Sequence, residues 1–201
     1  MSKKEIIIAT TNKGKVNDFR VLFPEDKYVL KSLLDYPEIP EVEETGSTYK
    51  ENAKLKAETI CKLLNTIVIA DDSGLSIDAL NGEPGVYSAR YSGVHGDTDG
   101  GISIILEKMK DVPLEDRGAE YTCCIAVAFP DNDTMFFEGY ANGTITTERI
   151  GSNGFGFDPI FMCDITGKTW AELDIASKNK VNHRSKAITK LIVFNEMNNI
   201  L

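Results

Sequence analysis

An α/β fold follows from three features of the 201-residue sequence. Short apolar runs break off abruptly into polar loops, amphipathic helical stretches alternate with them, and the second half carries a strand–turn–strand signal. Glu5–Thr10 opens as a buried strand through Ile6, Ile7, Ile8 and Ala9. The loop Thr11-Asn12-Lys13-Gly14 leads into a helix whose apolar face is Val16, Phe19, Leu22 and Phe23, and Pro24 stops it. Leu30–Glu44 reads as irregular. A second helix starts at a capping box, in which Thr48 and Glu51 satisfy each other's exposed N–H groups. Its apolar stripe is Ala53, Ala57, Ile60, Cys61 and Leu64, and Asn65 closes it.

Thr66–Ala70 reads as a short buried strand ending at Asp71-Asp72-Ser73-Gly74, and residues 81–101 read as a Gly-, Pro- and Tyr-rich loop. Tyr121–Phe129 and Thr134–Tyr140 form a hairpin around a turn at Pro130–Asp133, with Asn142–Glu148 as a further strand. A glycine-rich loop, Gly151–Pro159, follows. The last helix starts near Asn182, with Ala187, Ile188, Leu191, Ile192 and Phe194 at helical period. No repeat, low-complexity tract or linker divides the chain, so residues 1–201 are expected to form a single domain.

Hydrophobic residues make up 42% and charged residues 26%, the balance of a globular protein. No apolar run approaches the roughly 20 residues a membrane span needs, and Ile6-Ile7-Ile8 is too short for a signal segment, so the expected location is the cytoplasm. A formal net charge of −9 repels nucleic acid and anionic membrane. It leaves room for a small anionic ligand held by a few local lysines. The four cysteines form no C-x-x-C pair and are expected to be buried and reduced, with Cys123 and Cys124 facing opposite ways on their strand.

Five segments carry candidate chemistry. A polar turn between a strand and a helix, with Lys15 beside it, is an anion site by geometry, although it lacks the Walker pattern and equally describes an ordinary βα loop. Asp71 and Asp72 point to opposite faces of a strand, so one can serve a metal while the other caps a turn. Glu43 and Glu44 offer a second carboxylate or a merely solvated loop, and helical spacing does not separate Lys56 from Lys54. In Gly154-Phe155-Gly156-Phe157-Asp158 the aromatics suit either base stacking or the core. His183 and Arg184 lie in a helix's first turn, where basic residues oppose the macrodipole, a local cost that hints at function.

In order along the chain, these segments resemble the inosine triphosphate pyrophosphatase family. The matching pieces are Ala9-Thr-Thr-Asn-Lys-Gly-Lys15, Glu43 to Ala53, Ala70-Asp-Asp-Ser-Gly-Leu75, Gly85 to Gly93, Gly154 to Phe161, Gly167 to Leu173 and Lys178 to Lys186. The resemblance implies an elongated central mixed sheet flanked by helices, two lobes with the active-site cleft between them, and a homodimer. It implies hydrolysis of nonstandard purine nucleoside triphosphates (ITP, dITP, XTP) to the monophosphate and pyrophosphate, with Mg2+ as cofactor. Thr10, Thr11, Asn12, Lys13, Gly14 and Lys15 would hold the triphosphate together with Lys56. Glu44 and Asp72 would hold the metal, Asp72 would also accept a proton, and Ser73 would contact substrate. Phe155 would stack on the purine, and Gly156, Phe157, Asp158, Lys178, His183 and Arg184 would line its pocket. Thr11 stands where the family usually has Gly, and Asn182 where it usually has Ser. A similarly folded pyrophosphatase family, the Maf-like proteins, and a nucleotide sensor without turnover are the rival readings. The loop Asn12–Lys15 and the segment Asn182–Arg184 disfavour the first, and Glu44 with Asp72 disfavours the second.

Overall fold

The computed structural model describes residues 3–201. Its architecture is α/β: a seven-stranded mixed sheet in the order β2-β1-β3-β4-β5-β6-β7, with five α-helices and several short 3-10 turns among the described residues. The strands are β1 (Lys4–Ile8), β2 (Tyr28–Ser32), β3 (Val68–Ile77), β4 (Gly118–Ala128), β5 (Met135–Ile145), β6 (Phe161–Cys163) and β7 (Lys168–Thr169). The helices are α1 (Lys13–Leu22), α2 (Tyr49–Leu64), α3 (Thr98–Lys108), α4 (Ile175–Asn179) and α5 (His183–Asn198). Contacts divide the chain into two compact units. One comprises the described residues up to Asp72, Cys123–Gly139 and Arg184–Leu201; the other comprises Ser73–Thr122 and Tyr140–His183.

In the first unit β1 pairs in parallel with both β2 and β3. Parallel strands need helical crossovers, which cover both faces. On one face Ile6, Ile8 and Ile69 pack with Phe19 and Phe23, with Cys123, Ile125 and Val127 of β4, and with Ala187, Ile188 and Leu191 of α5. On the other, Ile7, Val68, Ala70, Cys124 and Ala126 meet Ala53, Ala57, Ile60 and Cys61 of α2. Adjacent Cys123 and Cys124 therefore do face opposite ways, and all four thiols are free and buried. The α2 cap forms as expected, with Thr48 and Glu51 in a reciprocal box and Asn65 in the left-handed conformation that ends the helix.

In the second unit β6 pairs antiparallel with β5 and β7. Leu75, Ile77, Tyr121, Ile145, Phe161 and Trp170 pack against Ile102 and Ile105 of α3 and Met109, the residue that ends it. Arg117 is wholly buried beside this core. Its guanidinium donates to the carbonyls of Ile145 (2.7 Å), Met109 (2.6 Å) and Thr146 (2.8 Å), so one side chain gathers the end of β5 and the C-terminal end of α3.

Several elements depart from the sequence expectation. The strand expected to stop at Ala70 runs on through Asp71-Asp72-Ser73-Gly74 to Ile77, because neighbouring strands in the sheet outweigh the poor strand propensity of Asp and Gly. Tyr28–Ser32 is a strand in register with β1, so Leu30–Ser32, at the start of the stretch read as irregular, is regular after all. The expected separate strand at Asn142 is the continuation of β5. Helix α3 begins inside the expected loop. Asp97 caps it at the Gly100 N–H, and the Phe157 ring packs closely on Gly101, where a Cβ would stand 3.0 Å from it. Phe194 is 38% exposed, resting edge-on against Phe137, rather than buried with Leu191.

Candidate active site

Alternation along β3 sends Asp71 and Asp72 to opposite faces. Asp72, 5% exposed, accepts a hydrogen bond from Asn52 Nδ2 at 3.1 Å and lies 3.8 Å from Lys56 Nζ. Lys56 also donates to Glu44 Oε1 at 2.5 Å, so two carboxylates converge on one ammonium. Asn52 is set in turn by the Gly46 N–H, which donates to its Oδ1 at 2.7 Å. Burial raises the Asp72 pKa; Lys56 opposes this and Glu44 adds to it, and the net shift is upward. Burial pulls the Lys56 pKa down, but Asp72, Glu44 and Asp71 together push it above the ordinary lysine value.

Asp71 belongs to a second group. Its Oδ2 lies 3.1 Å from Lys15 Nζ and accepts from Arg184 Nε at 3.1 Å, while Arg184 Nη1 donates to Asp18 at 2.8 Å. Burial alone would raise the Asp71 carboxyl, but Lys15, then Arg184 and Lys56, hold it far below the usual carboxylate range. At the start of α1, Asn12 caps the helix by accepting from the Lys15 N–H at 3.1 Å, and Thr10 Oγ1 accepts from the Asn12 N–H. Thr11, Asn12 and Lys13 are exposed, whereas Thr10, Gly14 and Lys15 are half-buried. The expected polar loop at a helix N-terminus is therefore present.

In the second unit Asp158, 2% exposed, accepts from the Phe155 N–H (2.9 Å) and from Lys178 Nζ (2.5 Å) with one oxygen. The Lys178 ammonium stands 4.6 Å from the Phe155 ring centre and 5.3 Å from that of Trp170. His183 stacks on Tyr121 at 4.7 Å and on Trp170 at 5.3 Å. The two loop aromatics separate: Phe155 is 36% exposed, whereas Phe157 is buried in the unit's core. Gly156 and Ser73 are half-buried.

Asn52, Asp18, Tyr121 and Trp170 were not singled out from the sequence. For Asn52 a signal existed. It sits four residues before Lys56, hence on the same helical face, and beside the apolar stripe, where an unpaired amide is costly. Among the described residues no group of three or more His, Cys, Asp or Glu side chains is placed to hold a metal ion by itself.

The Ham1 family model matches residues 6–194. The chain belongs to the Ham1 family. The dITP/XTP pyrophosphatase of Shouchella clausii is 51% identical over 187 residues, 93% of this chain and 94% of that protein. That of Oceanobacillus iheyensis is 50% identical, over 94% and 96% respectively. Among solved structures, the Staphylococcus aureus Ham1 protein superposes with a TM-score of 0.87 at 45% identity, covering 97% of this chain and 100% of that one. The Mycobacterium abscessus nucleoside-triphosphatase, dITP/XTP pyrophosphatase, gives 0.75 at 40% identity, covering 93% and 98%.

Proposed function

We infer that this Ham1-family chain hydrolyses nonstandard purine nucleoside triphosphates (ITP, dITP and XTP) to the monophosphate and pyrophosphate. The observation that carries this reading is the grouping of Glu44, Lys56 and Asn52 about Asp72, with Lys15 held on the other face of the same strand. The names of close full-length relatives support the substrate class.

Glu44 and Asp72 fit magnesium. They are hard oxygen donors, and they already converge on a cation in Lys56. When bound, the ion would supply positive charge to the phosphates. Lys15 and Lys56 donate to triphosphate oxygens, joined by the N-terminal N–H groups of α1 and the polar side chains of Thr10–Lys13. Asp72, whose proton affinity is raised, accepts a proton from the attacking water, and Asn52 keeps its carboxylate aimed. Attack on the α-phosphorus breaks the bridge to the β-phosphate, and pyrophosphate leaves. Ser73 contacts substrate beside Asp72.

Phe155 supplies the exposed face on which a purine stacks, and Lys178, fixed by Asp158, and His183 offer donors suited to a C6 oxygen. Gly156 and Phe157 act through their backbones, because the Phe157 ring is committed to the core. Arg184 donates from Nε and Nη1 to Asp71 and Asp18, so any contact it makes with a C6 oxygen comes from a guanidinium already fixed in direction. The reading extends to one functional domain over residues 1–201, a cytoplasmic homodimer, and no nucleic-acid partner. The net charge of −9 supports the last point, and among the described residues no helix is long and apolar enough to cross a membrane.

Incubation with ITP and magnesium, followed by chromatography, tests the reading. IMP and pyrophosphate are expected in equal amounts; IDP with orthophosphate would overturn it.

A further inference from the structure

Lys15 is held at both ends. Its backbone N–H is fixed by the Asn12 cap, and its ammonium lies 3.1 Å from Asp71 Oδ2. The same oxygen receives Arg184 Nε from the first turn of α5, 113 residues away in sequence. The other oxygen, Oδ1, is buried and has no hydrogen-bond partner among the described residues. The carboxylate is thus committed through one atom to two cations. The Asp71 side chain is 0% exposed, and its strand lies between β1 and β4, so the acceptor is rigidly carried. Asp18 takes a second Arg184 nitrogen, which gives the group two carboxylates for two cations.

We propose that Asp71 is a positioning residue for the reaction: through one buried oxygen it fixes the Lys15 ammonium, with Arg184 as counter-anchor, in the direction needed to meet the triphosphate. The proposal rests on the function inferred above. An ammonium has three donors. One meets Asp71, which leaves the others for phosphate oxygens and removes the need to order a flexible side chain when substrate arrives. Stability alone gives weak reason for such a group, since buried ion pairs are often replaceable by apolar residues without loss. The side-chain partners of Asp71 are Lys15 and Arg184, so its influence on the Lys15 ammonium is direct and is what the Lys15 background isolates.

The test is a double-mutant cycle on Lys15→Ala and Asp71→Asn, read as kcat/KM for ITP hydrolysis. Asp71→Asn is expected to lower wild-type efficiency about tenfold, but the efficiency of the Lys15→Ala protein by less than about twofold. A purely structural role would give the same factor in both backgrounds, and that result, or an Asp71→Asn variant with wild-type efficiency, overturns the proposal. If Asp71→Asn melts below the assay temperature, Asp71→Glu, which keeps the charge balance but displaces the oxygen, takes its place in the cycle with the same expectation. Wild-type protein that releases no pyrophosphate from ITP, dITP or XTP overturns the function reading and this proposal together. Wild-type turnover with additive losses overturns the positioning role alone.

Discussion

Asp71 and Asp72 are sequence neighbours whose carboxylates serve different lysines: Lys15 stands 3.1 Å from Asp71 and Lys56 stands 3.8 Å from Asp72, on opposite faces of β3. Replacing Asp72 by Asn keeps the shape and the acceptor for Asn52 but removes both the negative charge and the base. Turnover of ITP should fall about a thousandfold. Because burial makes the Asp72 charge costly, thermal stability should hold or rise slightly. A drop of several degrees in Tm would show that Asp72 is structural instead.

Gly46 owes its identity to the Asn52 amide. A Cβ at that position would stand 2.7 Å from Asn52 Oδ1 and from Glu51 Cβ. Gly46→Ala should therefore push Asn52 off Asp72 and disturb the Glu51 cap. Activity should fall at least about tenfold and Tm by a few degrees; steady-state kinetics and a melting curve on the same preparation check both.

Phe155 is predicted to matter for binding and little for folding. Phe155→Ala removes an exposed ring, so unfolding free energy should stay within about 0.5 kcal/mol of wild type. Lost stacking should cost about 1–3 kcal/mol in kcat/KM for ITP. Unchanged kinetics would remove Phe155 from the base-binding set.

Arg117 should be the opposite case. Arg117→Leu removes the guanidinium donor from the buried carbonyls of Ile145 and Thr146 and leaves Met109 O only the Val112 N–H, and urea titration should show a loss of about 3 kcal/mol or more. Arg117→Lys, with charge but no fork, should fall between. A Leu variant as stable as wild type would mean that water replaces the guanidinium without cost.

The thiols should be silent in the native protein. All four are buried, and burial pushes the Cys124 pKa up to about 12, so the reactive thiolate is scarce at pH 8. Ellman's reagent should release almost no chromophore before denaturation and four equivalents after it. Rapid native labelling of any cysteine would contradict the packing.

Local signals carried well from sequence to structure. The Thr48–Glu51 box, the Asn65 stop and the opposed Cys123 and Cys124 are set by neighbours a few residues away, and each appears as read. What stayed hidden depends on distant partners. The continuation of β3 through two aspartates is held by the sheet, and the partners of Arg184 lie 113 and 166 residues off. The split between Phe155 and Phe157 turns on which ring meets Gly101, a contact that periodicity does not encode. The candidate site was legible mainly as an ordered set of motifs, because each motif alone is compatible with a cap, a turn or a core residue.

Trp170 is the sole tryptophan of the chain. Its indole stacks at 4.8 Å on Tyr121 and carries the Lys178 ammonium 5.3 Å from its ring centre, beside His183. Intrinsic emission on excitation at the red edge of protein absorbance therefore originates at one place, among the residues assigned to the purine. An amine above the ring and a histidine against it make that emission sensitive to any ligand that draws Lys178 aside. The protein thus carries its own optical reporter, able to follow inosine monophosphate binding without a label and unfolding of the second unit in the same cuvette.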